Sequence, residues 1–277
     1  MPTVRLERAG LFGPVGVVDT AQARRFSIAG VLQGASLLEP SASDIDPLLT
    51  AGPGPVIETR YQLAWLLAGR RHPQGRGLMI GLGGGSGVVG LLHEFPEMHL
   101  DVVDVDPRVV EMAREFHPLL RSYEKSGRAT VSVADGTDFL AGIETKYDFV
   151  IADIVVDSEQ IDRLKTSSFI GSLVGASREV WLHVFGSIWD GHLHEVLERF
   201  DATDQSVAWL FSPVRPDIQM PAQRNWVLTT AAMEPPDPRG FVPFVGLRGP
   251  QVATIREGYA KLVAHAITRA EARQLKP

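Results

Sequence analysis

The chain has 277 residues, with 27 Lys plus Arg against 33 Asp plus Glu and 44% hydrophobic residues, a composition that excludes a disordered or fibrous protein and leaves enough apolar material for a real core. A formal charge of -6 without clustered Lys and Arg argues against a nucleic-acid binder, because phosphate neutralisation needs a basic surface. Cysteine is absent, which excludes disulfides, thiolate metal sites and cysteine nucleophiles. No apolar run approaches the roughly 18 residues of a membrane span. Arg5, Glu7, Arg8, Arg24 and Arg25 interrupt the start of the chain, so a soluble, cytoplasmic protein without a signal peptide is expected.

In chain order, Val15 to Val18, Arg25 to Leu32 with a break at Ala29-Gly30, and Ala35 to Leu38 read as short strands of a small antiparallel β unit. From Glu39 to Pro55 the Ser, Asp, Pro and Gly residues have the turn chemistry of a linker. Tyr61, Ala64, Trp65, Leu67 and Ala68 then fall at helical spacing over Glu58 to Ala68, with Gly69 as the stop. Beyond it, strand and helix alternate: strand Gly77 to Ile80, helix 86 to 95, strand His99 to Val105, helix 107 to 116, strand Thr130 to Val133, helix 136 to 142, strand Asp148 to Ala152. That rhythm predicts an α/β fold, a doubly wound and mostly parallel sheet with helices on both faces. Strands Val180 to Phe185, Ser206 to Phe211 and Trp226 to Thr230 follow, around helix 191 to 199. The tail from Thr254 to Ala270 puts Ile255, Tyr259, Leu262, Val263, Ala266 and Ile267 on one stripe of a helix, packed on its own domain or against a second subunit. The expected division is a β unit and linker over 1–57, a nucleotide-binding domain over 58–235 and a C-terminal extension over 236–277.

The strongest local signal is a buried strand, Leu78-Met79-Ile80, running into Gly81-Leu82-Gly83-Gly84-Gly85-Ser86-Gly87 and then a helix. Glycines allow the tight turn and expose amides at a helix N-terminus to electronegative groups, which suits dinucleotides and S-adenosyl compounds alike. At the end of the next strand Asp104 can accept ribose hydroxyls. Asp106, before Pro107, reads as a helix N-cap. Asp135 ends the third strand and either contacts an adenine amino group or caps a helix, and Asp153 ends the fourth. In an open parallel sheet these strand ends converge on one crevice. Neither His93-Glu94 nor His194-Glu195 has metalloprotease spacing, and Asp101, Asp104 and Asp106 lack a calcium loop's other ligands, so no metal is expected.

Together with this loop, the segments Gly30-Val31-Leu32-Gln33, Glu58-Thr59-Arg60-Tyr61-Gln62, His72-Pro73, Asp104-Val105-Asp106, Asp135-Gly136 and Tyr147 to Asp153 resemble the spermidine synthase, or polyamine aminopropyltransferase, superfamily. The resemblance spans about residues 11 to 190 and implies a Rossmann-like class I methyltransferase fold with a small N-terminal antiparallel β unit. It implies that Gln33 and Tyr61 contact the amino-acid tail of an S-adenosyl compound, that Asp104 with Val105 holds the ribose side and that Asp135 with Gly136 holds the adenine. Gly81, Gly83, Gly84 and Gly85 would form the cradle. Asp153 would stand between donor and acceptor and take up a nucleophile's proton, a homodimer being common among relatives.

The departures bear on the reaction. Family members that transfer aminopropyl groups carry an acid within the glycine loop, where this chain has Gly83-Gly84-Gly85, and the Asp-Pro pair after the last Asp is replaced by Ile154-Val155. A neutral loop of amides tolerates the carboxylate of intact S-adenosylmethionine. The expectation is therefore methyl transfer to a small molecule, with S-adenosyl-L-methionine as cofactor and Asp153, aided by Tyr61 or His183, as base. Aminopropyl transfer, a nicotinamide-dependent oxidoreductase and a non-catalytic nucleoside binder are the rivals. Asp157, Glu159 and Asp162 are either acid facing a cationic acceptor or a solvated loop. His183 is either a second base or a satisfied histidine. Trp65, Trp181, Trp189, Trp209 and Trp226 are candidates to line an aromatic acceptor pocket.

Overall fold

Two sheets carry the described part of the chain, which in this computed structural model comprises residues 3–19, 23–37, 63–154, 166–186, 191–212, 224–234, 259–260 and 262–274. The first is an antiparallel meander of β1 (Thr3–Gly10), β2 (Gly13–Asp19), β3 (Ala23–Ile28) and β4 (Val31–Leu37). β1 carries Arg5, Glu7 and Arg8 and was not legible as a strand, since its charges mask the pairing partner it offers β2. The expected break at Ala29-Gly30 is a two-residue hairpin turn with φ of 50° and 78°, the left-handed pair that matches strand twist.

Between the sheets, α1 (Trp65–Arg71) is the described part of the helix expected from Glu58; positions through 62, Tyr61 among them, lie outside the described residues. Gly69 is not its stop. The helix runs on to Arg71, and a Cβ at position 69 would collide with the Phe95 ring, so glycine serves close packing there.

The large sheet begins with β5 (Arg76–Ile80), α2 (Ser86–Glu94), β6 (His99–Asp104), α3 (Pro107–Phe116), α4 (Pro118–Lys125), β7 (Ala129–Val133), α5 (Gly136–Ala141) and β8 (Tyr147–Ala152). It continues with α6 (Ser167–Ala176), β9 (Ser177–Gly186), α7 (Gly191–Asp201), β10 (Trp209–Phe211) and β11 (Arg224–Thr229), and closes on β12 (Ile267–Thr268) and α8 (Arg269–Gln274). The spatial order is β12-β10-β11-β9-β8-β5-β6-β7. Pairing is parallel from β9 through β8, β5 and β6 to β7, and antiparallel at β11, β10 and β12. This is the expected α/β, Rossmann-like fold, a mostly parallel sheet with a small antiparallel sheet besides.

Successive strand residues point to opposite faces. Phe149, Ile151, Trp181 and Val227 face one core, with α1, α2, α3 and the inner faces of β2 and β3; Val150, Ala152, Leu182 and Trp226 face the other, with α6 and α7. The C-terminal helix expected over Thr254 to Ala270 is broken. Tyr259, Leu262 and Val263 bury their stripe in the chain's own core, but Ile267 and Thr268 leave the helix to pair with Leu210 and Trp209 as an edge strand.

Candidate functional site

The chain reverses its order across the sheet between β5 and β8, and there the two strand ends lie against each other. The Asp153 amide donates to Ile80 O at 2.8 Å, and the Gly81 amide to Val103 O at 2.8 Å. Gly81 has φ +93°, and any Cβ there would run into the Asp153 carbonyl oxygen. The first glycine of the loop thus lets β8 approach, and with it the carboxylate of Asp153. Gly83 (φ +51°) and Gly85 (φ +85°) are also left-handed, and Gly85 is the N-cap of α2. Above Gly83 the nearest group to a would-be Cβ is Gln33 Oε1 at 3.9 Å, so Gln33 reaches from β4 over the loop. Above Gly83 the loop is open apart from Gln33, so its backbone can be approached there.

Asp104 ends β6 with Oδ2 accepting from Leu82 N at 2.8 Å and Oδ1 from Asp106 N at 2.9 Å. Burial pushes its pKa above the ordinary aspartate value while the amides of Leu82, Asp106 and Gly83 pull the other way. A carboxylate has about four acceptor positions, so these amides orient Asp104 and leave capacity for a hydroxyl. Asp106 caps α3 through Arg108 N at 2.8 Å, as its sequence context implies, and also accepts from Leu11 N at 2.6 Å. That second bond fastens the β1–β2 turn to the strand end next to Asp104, and no local sequence pattern signals it.

Asp135 is the N-cap of α5, Oδ1 accepting from Thr137 N at 2.8 Å and Asp138 N at 3.4 Å, which is the capping role left open by the sequence. Gly136 follows because a Cβ would lie 2.6 Å from Ile80 Cγ2. Val105 and Val133, 37% and 51% exposed, stand as apolar residues at the ends of β6 and β7.

Asp153, His183 and Asn225 form a row across three adjacent strands, β8, β9 and β11, on one face of the sheet. Nδ1 of His183 lies 2.8 Å from Asp153 Oδ1, and Nε2 lies 2.8 Å from Asn225 Oδ1. His183 is buried at 3% exposure, and Asp153 is partly open to solvent. His183 is thus a buried histidine satisfied by Asp153 and Asn225, and Asp153 is the partner that opens to solvent. Asn225 was missed because the antiparallel pairing of β11 with β9 places it there, and nothing in Arg224-Asn225-Trp226 signals that pairing.

Among the described residues, three of the five candidate tryptophans are core residues. Trp65, Trp181 and Trp226 are 1%, 0% and 0% exposed in the hydrophobic cores, where large apolar surface is best placed. Trp209 is partly buried and donates to Met233 O at 3.2 Å. Trp189, Asp157, Glu159 and Asp162 lie outside the described residues. Among the described residues no group of His, Asp and Glu could hold a metal, and no helix is long and apolar enough to cross a membrane.

The model of the spermine/spermidine synthase domain matches residues 67–180. The polyamine aminopropyltransferase of Streptococcus pneumoniae serotype 4 (strain ATCC BAA-334 / TIGR4) is 29% identical over 115 residues, 41% of this chain and 40% of that protein. The match therefore covers less than half of the relative's length. The eEF1A lysine and N-terminal methyltransferase of Mus musculus is 31% identical over 81 residues, 28% of this chain and 11% of that one. The crystal structure of a probable spermidine synthase from Corynebacterium glutamicum ATCC 13032 superposes with a TM-score of 0.65 at 15% identity, over 97% of this chain and 92% of that one, which shows a common fold. Residues 67–180 thus match the spermine/spermidine synthase domain, within a fold shared with a probable spermidine synthase along nearly the whole chain.

Proposed function

We propose that the chain is an S-adenosyl-dependent transferase that moves an alkyl group onto a small-molecule acceptor carrying an N–H or O–H, with Asp153 as proton acceptor. The observation that carries this reading is the Asp153–His183 pair, held beside Gly81 at the point where the strand order reverses, the position at which open α/β sheets bind ligands. A bound S-adenosyl compound supplies a sulfonium carbon already activated toward a nucleophile. The protein's part is to align the acceptor, exclude water and remove its proton. Gln33 and the glycine loop hold the tail, Asp104 and Val105 the ribose side, and Gly136 with Asp135 the base side. Asp135 already caps α5, so its contact to a base would be additional to that role.

The loop favours intact S-adenosylmethionine, and hence methyl transfer. It offers no carboxylate to the amine of a decarboxylated donor, and the amides opening α2 suit a carboxylate. A second reading, aminopropyl transfer, is the one that the relatives favour, through their name and through the family of residues 67–180. Incubating the protein with both donors and a panel of polyamine, phenol and indole acceptors, then weighing the products, tests both. Methylated product from the intact donor supports the first reading. Product from the decarboxylated donor alone decides for the second, and no product from either contradicts both.

A further inference from the structure

Asn225 presents its carbonyl oxygen to Nε2 of His183 at 2.8 Å. A carbonyl oxygen accepts and cannot donate, so with the amide in this orientation the contact is a hydrogen bond when Nε2 carries the proton. A neutral ring protonated there has a bare Nδ1, and Nδ1 lies 2.8 Å from Asp153 Oδ1. Two lone pairs at that distance repel, whereas a proton between them makes a short, charge-assisted bond. A proton placed between Asp153 and Nδ1 is therefore held by both groups. Without Asn225 the ring could move its one proton to Nδ1, donate to Asp153 and satisfy the carboxylate, which would blunt it as a base.

Building on the reading of Asp153 as proton acceptor, we propose that Asn225 is a positioning residue that keeps a proton on Nε2 of His183, so that the proton released by the acceptor is stored between Asp153 and Nδ1. The balance is simple. The acceptor's lone pair forms the new bond to carbon, the carbon–sulfur bond breaks toward sulfur, and the acceptor's proton passes to Asp153 and is shared with the ring. Deprotonation to solvent resets the pair.

The test is the nitrogen-15 spectrum of the histidine rings in the full chain, with His183 assigned by its loss in His183→Gln, read together with steady-state kinetics. Wild type is expected to show Nε2 of His183 protonated. Asn225→Leu is expected to move the proton to Nδ1 and to lower kcat about tenfold or more, with KM for the donor little changed. Asn225→Asp, which also accepts from Nε2, is expected to restore the wild-type tautomer and most of kcat. A proton on Nδ1 alone in wild type, an unchanged tautomer in Asn225→Leu, or loss of the Nε2 proton in Asn225→Asp would overturn the proposal. If Asn225→Leu does not fold, the wild-type and Asn225→Asp spectra still decide. Absence of transfer from either donor would sink the function proposed above, while the ring spectra would still settle the role of Asn225.

Discussion

Acidification from pH 7 to pH 4 is expected to remove about 3 kcal/mol of folding free energy through one ring, that of His117. This histidine follows α3 and precedes Pro118 of α4, is 5% exposed and has Nε2 2.7 Å from the hydroxyl of Ser86, the first residue of α2 after the glycine loop. Burial pulls its pKa down from 6.5 to about 4. The unfolded chain therefore takes up the proton first as the pH falls. Stability is intact above about 6.5, is lost between there and about 4, and changes no further through this group below that. At about 1.4 kcal/mol for each pH unit, the interval from 6.5 to about 4 gives the ~3 kcal/mol. Urea unfolding of wild type and His117→Gln at pH 7, 6, 5 and 4 isolates the contribution, because glutamine keeps a polar group toward Ser86 but cannot titrate. The variant should start less stable at pH 7 and lose about 3 kcal/mol less on acidification. Equal losses in the two proteins would refute the reasoning.

Three further outcomes follow from the geometry. Asp104→Asn is expected to weaken S-adenosylhomocysteine binding about 10- to 100-fold, the worth of a charge-assisted hydrogen bond. In wild type, because burial raises this carboxylate's pKa, affinity should fall with decreasing pH before the ordinary aspartate range is reached; calorimetric titration across pH checks both. Gly69→Ala is expected to lower stability by up to about 2 kcal/mol, since an overpacking cost of about 1–3 kcal/mol against Phe95 exceeds the ~1 kcal/mol that alanine gains in a helix; a thermal melt at or above wild type would contradict this. Gly84→Asp places a carboxylate in the loop and is expected to shift preference from intact to decarboxylated donor, measured as the ratio of kcat/KM values, with an unchanged ratio counting against the role given to the loop.

Much of the architecture is legible because its signals are local. The strands β5, β6 and β8 are apolar runs, and the Asp106-Pro107 start marks α3 to the residue. That the glycine loop, Asp104, Asp135 and Asp153 follow the carboxyl ends of neighbouring parallel strands was legible from the strand–helix rhythm alone. What was hidden depends on distant pairing or on weak local patterns. α4 begins at a proline that reads as a stop and buries only Leu120 fully, and α6 contains Gly171 and Gly175, which blur its periodicity. β12 becomes a strand because β10 offers it an edge. Trp65, Trp181 and Trp226 follow the general rule that large apolar rings fill cores. His183 acquires its meaning from Asp153 on the neighbouring strand, and Asn225 from an antiparallel partner more than forty positions along the chain.

The central claim is that the ends of β5, β6 and β8 hold an S-adenosyl compound with its sulfur facing Asp153. A crystal structure with S-adenosylhomocysteine bound tests it most directly. The expected result is a ribose hydroxyl on Asp104, the amino-acid tail along Gly83-Gly84-Gly85 under Gln33, and the sulfur turned toward the Asp153 carboxylate. A ligand bound elsewhere, or a sulfur facing away from Asp153 with the Asp153–His183 pair walled off from it, would contradict the account.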